Sequence, residues 1–557
     1  MLPLLEGHVL SALIGLPAGT ALALFVLGAL HHALFGARGL PETVWRVAGL
    51  VATVLAFALA AFGILAAFDL ERMGPQLVEY VPWVPSLGVH YFVGVDGISL
   101  FLVLLTTLLF PLAFVASWKQ VDRSLRSFVL LILFLESGLL GVLLAQNTAF
   151  FFLAWQATWL PMFFLIGIFG GARRVRAATR FLMVSGFASA CLLVALLTVS
   201  YLAGAPDAAP LFDLATPPGG VGPGLLDSPM IDPDGAEWLS SGPAWLFFAF
   251  VVAFGVMIPI VPFHAWLPDV LGEAPSAITA LIAAVGIKLG AYGLLRFALP
   301  LCPASVAEWA PAFSCLATIA IVYGSLVAAV QTDLKRLIAW WTIAQLGLVL
   351  LGIFSLEVHG LTGSVILLSS HGLTVAALYF LVGSVIERRG TAEIVAYGGL
   401  ARPMPVFAVL FGLAVLSAMG MPAFVGFVGG FTILLSSFAS GPGIGMAALV
   451  GTLLTAGYWA WTYRRVALGP VENAENRGLI DLDWRERIVV IVLLLPLLWT
   501  GLQPGPVLRR VEPSVLDLLR QMDDRRMAPP PVDHYERPDR GDGFELIRAA
   551  APSEPIS

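Results

Sequence analysis

The sequence predicts an all-α polytopic membrane protein of about fourteen transmembrane helices. Three observations carry that prediction. Hydrophobic residues make up 59% of the 557-residue chain and charged residues only 12%, about half of the roughly 25% that a soluble surface needs. Apolar runs of about 18 residues or more recur along the whole chain, each long enough to cross a hydrocarbon core of about 30 Å. Lipid offers no partner to backbone N–H and C=O groups, so such runs must close their hydrogen bonds internally as helices. The two-residue alternation of a membrane β-barrel is absent.

The spans read in order as 9–30, 46–68, 97–117, 127–146, 148–170, 178–203, 244–263, 276–296, 310–330, 336–355, 361–385, 403–438, 442–463 and 487–503. The N-terminus has neither a basic n-region nor a small-residue cleavage site, so the first run reads as a retained helix. Pro259 and Pro262 break the seventh span, and Gly420, Met421 and Pro422 break the twelfth. Two such spans, five helices apart, are the trace of an inverted repeat, with spans 4–8 and 9–13 as the halves.

Basic residues support the count. Loops after odd-numbered spans hold Lys119, Arg123 and Arg126, then Arg173, Arg174, Arg176 and Arg180, then Lys335 and Arg336. Loops after even-numbered spans are nearly free of Lys and Arg. The long one, 204–243, carries Asp207, Asp213, Asp227, Asp232, Asp234 and Glu237 instead. Positive residues stay cytoplasmic, which puts both termini outside. The organisation expected is residues 1–96 as two N-terminal helices and an outer loop, 97–510 as the transmembrane core, and 511–557 as a polar tail. Pro529, Pro530 and Pro531 mark much of 525–557 as disordered.

Cys191, Cys302 and Cys315 fit no ligand spacing and read as packing residues. No iron–sulfur cluster motif, haem attachment motif or phosphate-binding loop is present, so no cofactor is expected in this chain. Nothing points to nucleic acid.

Several motifs carry a resemblance. Val261-Pro-Phe-His264-Ala-Trp266-Leu-Pro268-Asp269 resembles the HxWLPD signature of antiporter-like subunits. Gln331-Thr-Asp333-Leu-Lys335-Arg336 resembles the QTDxKR segment that opens the tenth helix. Val95-Asp96-Gly97-Ile98-Ser99, His371-Gly-Leu-Thr, Glu387-Arg388-Arg389, Gly398-Gly-Leu-Ala and Arg485-Glu486 follow in the M-type order. Over roughly residues 90–510 the chain is similar to the M-type antiporter-like subunit of respiratory complex I, and less so to Mrp-type antiporters and membrane hydrogenases. The resemblance implies a proton-conducting fold with a mid-membrane polar axis, partnered by other membrane-arm subunits in a bacterial cytoplasmic membrane. NADH oxidation would belong to another subunit.

The resemblance also implies charges that this chain lacks. Gln156 stands where the family has Glu on the fifth helix, Met257 where it has Lys on the seventh, and Gly430 where it has Glu on the twelfth. Asn147 replaces Asp, Gln345 replaces His, and Leu271 replaces a second His. The paired loss is coherent. A lysine stranded without its glutamate costs about 3–5 kcal/mol, whereas a neutral amide and a thioether are tolerated in a packed bundle.

The remaining ionisable groups are the candidate proton path. Lys288 lies near the middle of an otherwise apolar span, where a charge is expensive and usually functional. The plain alternative is a lysine paired structurally with Glu136. Glu136 sits about ten residues into its span, too deep to snorkel. His371 is either a proton site or a neutral packing histidine. Lys335, beside Asp333 and Arg336, also fits the positive-inside boundary. His264 and Asp269 shape the loop after the broken helix. Three functions compete: a subunit of a complex I-type NADH:quinone oxidoreductase with its own channel degenerate or rerouted, a subunit of an Mrp-type antiporter or other ion-coupled complex, and a non-pumping spacer.

If Gln156 and Met257 are a vacated ion pair, Gln156→Glu alone buries a lone carboxylate and destabilises the chain. Adding Met257→Lys should restore stability and raise proton flux. A double variant no better than the singles would break the proposed correspondence of these positions.

Overall fold

The computed structural model describes residues 7–35, 40–121, 124–203, 211–218, 224–227 and 244–527. The acids Asp207, Asp232, Asp234 and Glu237 and the tail beyond 527 lie outside the described residues. The described chain is overwhelmingly helical. Eleven helices are individually long and apolar enough to cross a membrane, or twelve when Trp484–Leu502 is counted with the helix that follows it.

In order, the helices are α1 Val9–Phe35, α2 Glu42–Ala67, α3 Gly97–Ser117, α4 Leu125–Leu144, α5 Thr148–Phe169 and α6 Arg174–Leu202. The seventh segment is broken into α7a Ala244–Met257 and α7b Leu267–Glu273. Then come α8 Ser276–Leu301, α9 Pro303–Ala329, α10 Leu334–Ile353 and α11 Val358–Arg389. The twelfth is broken into α12a Pro405–Ala418 and α12b Val425–Ser440, and α13 Pro442–Val466 and α14 Trp484–Leu502 complete the bundle. Each break falls in the fourth helix of a set of five, α4–α8 and α9–α13. Counting each broken segment as one crossing is what separates twelve from the expected fourteen.

Two features were not anticipated. The stretch between α2 and α3 is an antiparallel hairpin, β1 Gln76–Val84 and β2 Val89–Val95, rather than a loop. Its buried Glu79 caps α1, accepting from Leu10 N at 2.6 Å and Ser11 N at 3.2 Å, which answers the unpaired amides of a helix start. The expected polar tail is also ordered at its beginning. Gly505–Met527 is an amphipathic helix, α15, bent 79° from α14, so a boundary at 511 falls inside a helix. α15 packs on α3 and α11, and Ser514 Oγ accepts from Gly97 N at 2.9 Å. Val507, Val511, Val515, Leu518 and Met522 form its buried stripe, at the spacing of one helix face.

The opposite, basic-loop end is tied by charge. Arg388 forms a bidentate pair with Glu486, Nη1 to Oε1 at 2.8 Å and Nη2 to Oε2 at 2.6 Å, which locks the end of α11 to the start of α14. Asp483 caps α14. Burial works against its ionisation, but the Glu486 backbone N–H, Arg485 and Lys119 outweigh this and hold its carboxyl at about 2.

α8 is the centre of the bundle. Its most apolar window is 100% buried, against 39% for α6 and 33% for α13. It lies against α7a and α11, and the fit to α7a depends on Gly290. A Cβ there would stand 2.4 Å from Phe254 O and 2.7 Å from Ile258 N, backbone atoms that cannot move aside. Gly290→Ala should therefore cost about 1–3 kcal/mol. Gly186→Ala on α6, where a Cβ meets nothing within 4 Å, should be neutral or slightly stabilising. Thermal unfolding of the two purified variants in detergent checks the contrast.

Candidate proton-handling site

Lys288 is fully buried in α8. The helix on each side of it is π-helical, over Ile282–Gly286 and Leu294–Ala298. Such turns loosen the ordinary backbone ladder and recur at functional positions. Here Ala283, inside the first π-turn, gives its carbonyl to Lys288 Nζ at 2.6 Å. The ammonium is thus held by a backbone dipole. No Lys288–Glu136 ion pair within 4.0 Å occurs among the described residues.

Glu136 is fully buried in α4, and neither carboxylate oxygen has a hydrogen-bond partner. His371 is buried in α11, with both ring nitrogens unpartnered and its ring centroid 4.7 Å from that of Trp341. α8 touches both α4 and α11, and Lys288 lies within electrostatic reach of His371. The three groups singled out in the sequence therefore occupy adjoining helices of the buried core.

The other candidates lie elsewhere. Lys335 Nζ donates to Gly272 O at 3.1 Å and Ala274 O at 2.6 Å. It caps the end of α7b, where free carbonyls and the helix dipole favour a cation. Asp269 pairs with Arg180 and, at 3.8 Å, with Arg336, tying α7b to α6 and α10. His264 packs between the rings of Tyr323 and Trp340, with centroids 5.5 and 5.4 Å away.

The positions at which family charges were expected are accommodated locally. Gln156 accepts from Trp159 Nε1 one turn on in its own helix. Met257 ends α7a and is buried, as is Leu271. Gln345 is part-buried in α10. A Cβ on Gly430 would meet only Leu348, at 3.7 Å, so the site has room for a side chain that the chain does not supply.

Asn147 is the exception, because another segment places a carboxylate beside it. Its Nδ2 donates to Asp213 Oδ1 at 2.7 Å, while its Oδ1 caps α5. The other Asp213 oxygen meets His90 Nδ1 at 2.7 Å. Burial pushes the Asp213 carboxyl up, against the hydrogen bonds from Asn147 and His90 that pull it down. A second cluster lies at the same end. Arg296 Nη1 donates to Asp96 Oδ2 at 2.7 Å, and Nη2 donates to Gln146. Asp96 simultaneously caps α3 in a capping box with Ser99. The Val95–Ser99 motif marked this segment only through the family resemblance, and nothing in the sequence signalled the cap or Arg296 as its partner. No group of three or more His, Cys, Asp or Glu side chains placed to hold a metal ion occurs among the described residues.

The chain is similar to known proteins along most of its length. Residues 145–455 match the family described as NADH:quinone oxidoreductase/Mrp antiporter, TM, and residues 77–142 match the amino terminus of NADH-ubiquinone oxidoreductase chain 4. NADH-quinone oxidoreductase subunit M of Rhodobacter capsulatus is 36% identical, over 85% of this chain and 90% of that protein. Chain 4 of the NADH-ubiquinone oxidoreductase of Arabidopsis thaliana is 32% identical, over 85% of this chain and 92% of that one. A chain of respiratory complex I from Thermus thermophilus superposes with a TM-score of 0.78 at 28% identity, covering 92% of this chain and all of that one. A chain of the Mrp complex from Dietzia shares the fold, with a TM-score of 0.76 at 18% identity over 92% of this chain and 99% of that one. With the family match spanning more than half of its length and subunit M relatives aligned over most of it, the chain belongs to the NADH-quinone oxidoreductase subunit M family.

Proposed function

We propose that this chain is a membrane-arm subunit of a complex I-type NADH:quinone oxidoreductase and handles protons through Glu136, Lys288 and His371. One observation carries the reading. The three ionisable groups are buried on adjoining helices, and neither Glu136 nor His371 has a hydrogen-bond partner. Groups placed so expensively within a bilayer mark ion pathways more often than packing. A proton arriving at such a group relieves the cost of its charge or creates it, so each can be loaded and emptied by modest shifts in its surroundings.

NADH oxidation and quinone reduction belong to partner subunits in this reading. The chain contributes a transmembrane segment of the arm, in a bacterial cytoplasmic membrane with both termini outside. The likeness to the Mrp complex concerns the fold. Co-purification in mild detergent separates the two assemblies: NADH-oxidising partners support the first, and a cation/proton exchange activity without them supports the second.

In the intact complex, Lys288→Met should abolish the protons moved by this subunit per NADH oxidised. Lys119→Met, at the basic-loop surface, should leave that ratio unchanged. Proton release from reconstituted liposomes measures both, and an unchanged ratio in Lys288→Met reduces the lysine to a structural role. For orientation, a cysteine replacing Arg174 should react with a membrane-impermeant thiol reagent only after the cells are opened. Labelling of intact cells would invert the topology.

A further inference from the structure

Arg173, Arg176 and Arg180 open α6 at three- and four-residue spacing, which places them on one face of the helix. Met183, Val184 and Phe187 continue that face into the span. The stripe turns from basic to apolar over about 16 Å between Arg176 and Phe187. The space beside it changes in the same order. A cavity of about 70 Å³ is lined by the three arginines together with Asp269 and Glu273 of α7b. An open groove of about 490 Å³ adjoins it, with Met183, Val184 and Phe187 on one side and Val256, Phe263 and Trp266, around the break of the seventh segment, on the other. Arg180 lines both spaces. Met183 is 68% exposed and Phe187 58% exposed, so the groove opens on the outer flank of the bundle.

The charges in the cavity do not cancel. Glu273 pairs with Arg173 at 2.9 Å, and Asp269 pairs with Arg180 and, at 3.8 Å, with Arg336. Both acids are therefore matched. Arg176 lines the same cavity and Arg174 lies two residues before it, both exposed and in no ion pair within 4.0 Å among the described residues. A free anion would answer the arginines and leave the groove bare. A hydrocarbon chain would fill the groove and leave the arginines unmatched. A molecule with an anionic head and an apolar tail satisfies both, and basic pockets between helices at this kind of membrane surface hold lipid headgroups.

We propose that this is a binding site for an anionic phospholipid, with its phosphate at Arg174 and Arg176 and one acyl chain in the groove between α6 and the broken seventh segment. The site stands apart from the proton-handling groups and does not depend on their role. Arg180 joins its two parts, its stem along the groove and its guanidinium at the cavity, as long basic side chains at a membrane surface are suited to do. The bound lipid would bridge α6 and the chain around the break.

The test uses the intact complex in detergent, supplied with phosphatidylglycerol that carries a photoreactive acyl chain. Attachment sites are mapped by mass spectrometry and normalised to total incorporation into the complex. Light should attach the chain at Met183, Phe187 or Phe263. Arg176→Gln should lower that yield about fivefold, the weight of one basic residue beside an anionic headgroup, and Arg176→Lys should keep it. Arg176 is exposed and unpaired, so neither variant removes an ion pair from the fold. Photoreactive phosphatidylcholine should label these positions only weakly, and excess inorganic phosphate should not compete. Equal labelling by the two headgroups, or an unchanged yield in Arg176→Gln, would make the groove ordinary lipid-facing surface. Competition by phosphate would make the cavity a free-anion site. Absence of labelling at all three positions would assign this face to a neighbouring subunit. Any of these results overturns the proposal.

Discussion

The burial of a lysine in α8 is the constraint around which the rest is arranged. An ammonium removed from water loses hydration worth far more than any single contact returns. Among the described residues no carboxylate comes within 4.0 Å of the Lys288 ammonium to pair with it. The chain distorts the helix, so that a π-turn presents the Ala283 carbonyl to Lys288 at 2.6 Å. It also surrounds α8 on all sides, since only a helix shielded from lipid can carry such a group without exposing it to hydrocarbon. The breaks in α7 and α12 follow the same rule. Irregular backbone at membrane depth is tolerated where protein covers it.

Charges at the two ends are treated differently from those in the middle. At the basic-loop end, Arg388 and Glu486 pair bidentately and Asp483 is a helix cap, so each charge is satisfied by a fixed partner. At the hairpin end, Asp96 serves as helix cap and as counter-charge to Arg296, and Asp213 binds both Asn147 and His90. In the middle, Glu136 and His371 keep their polar atoms unpartnered. A satisfied network rigidifies, and an unpaired buried polar group is costly to keep. The distribution therefore separates the satisfied charges at the two ends from the unpartnered groups in the buried core.

Much of this was legible in the sequence because the bilayer restricts what an apolar run can become. The long spans, the prolines at 259, 262 and 422, and the three isolated buried ionisable residues follow from length and hydropathy alone. The hairpin did not, because Gln76–Val95 mixes aromatic, charged and small residues, and the elements it packs on, α1 and α5, lie elsewhere in the sequence. The π-turns in α8 leave no periodic trace in a span that is apolar on every face. The Asp213 partner of Asn147 was hidden in an acidic loop whose residues look interchangeable until one of them is placed. The helix of 505–527 was read as the start of a polar tail because its mean polarity outweighs a one-sided apolar stripe.

The positions where the resemblance led one to expect charges show how the fold does without them. Gln156 finds its partner inside its own helix, so its amide oxygen is satisfied without an opposing lysine. Met257 closes α7a among buried neighbours and asks only for volume. At the twelfth helix small residues, not charge, fix the α11–α12b contact. A Cβ on Gly363 would come within 2.8 Å of Gly429 O, and one on Gly429 within 2.9 Å of Gly363 O. Backbones that close together pack by shape and weak polar contact, the usual basis of helix association in lipid. Nothing in that contact refers to residue 430, which is why glycine can stand there. The architecture is thus separable from the charges the family resemblance led one to expect: it is written in glycines, prolines and apolar length, and it stands with neutral residues at those positions.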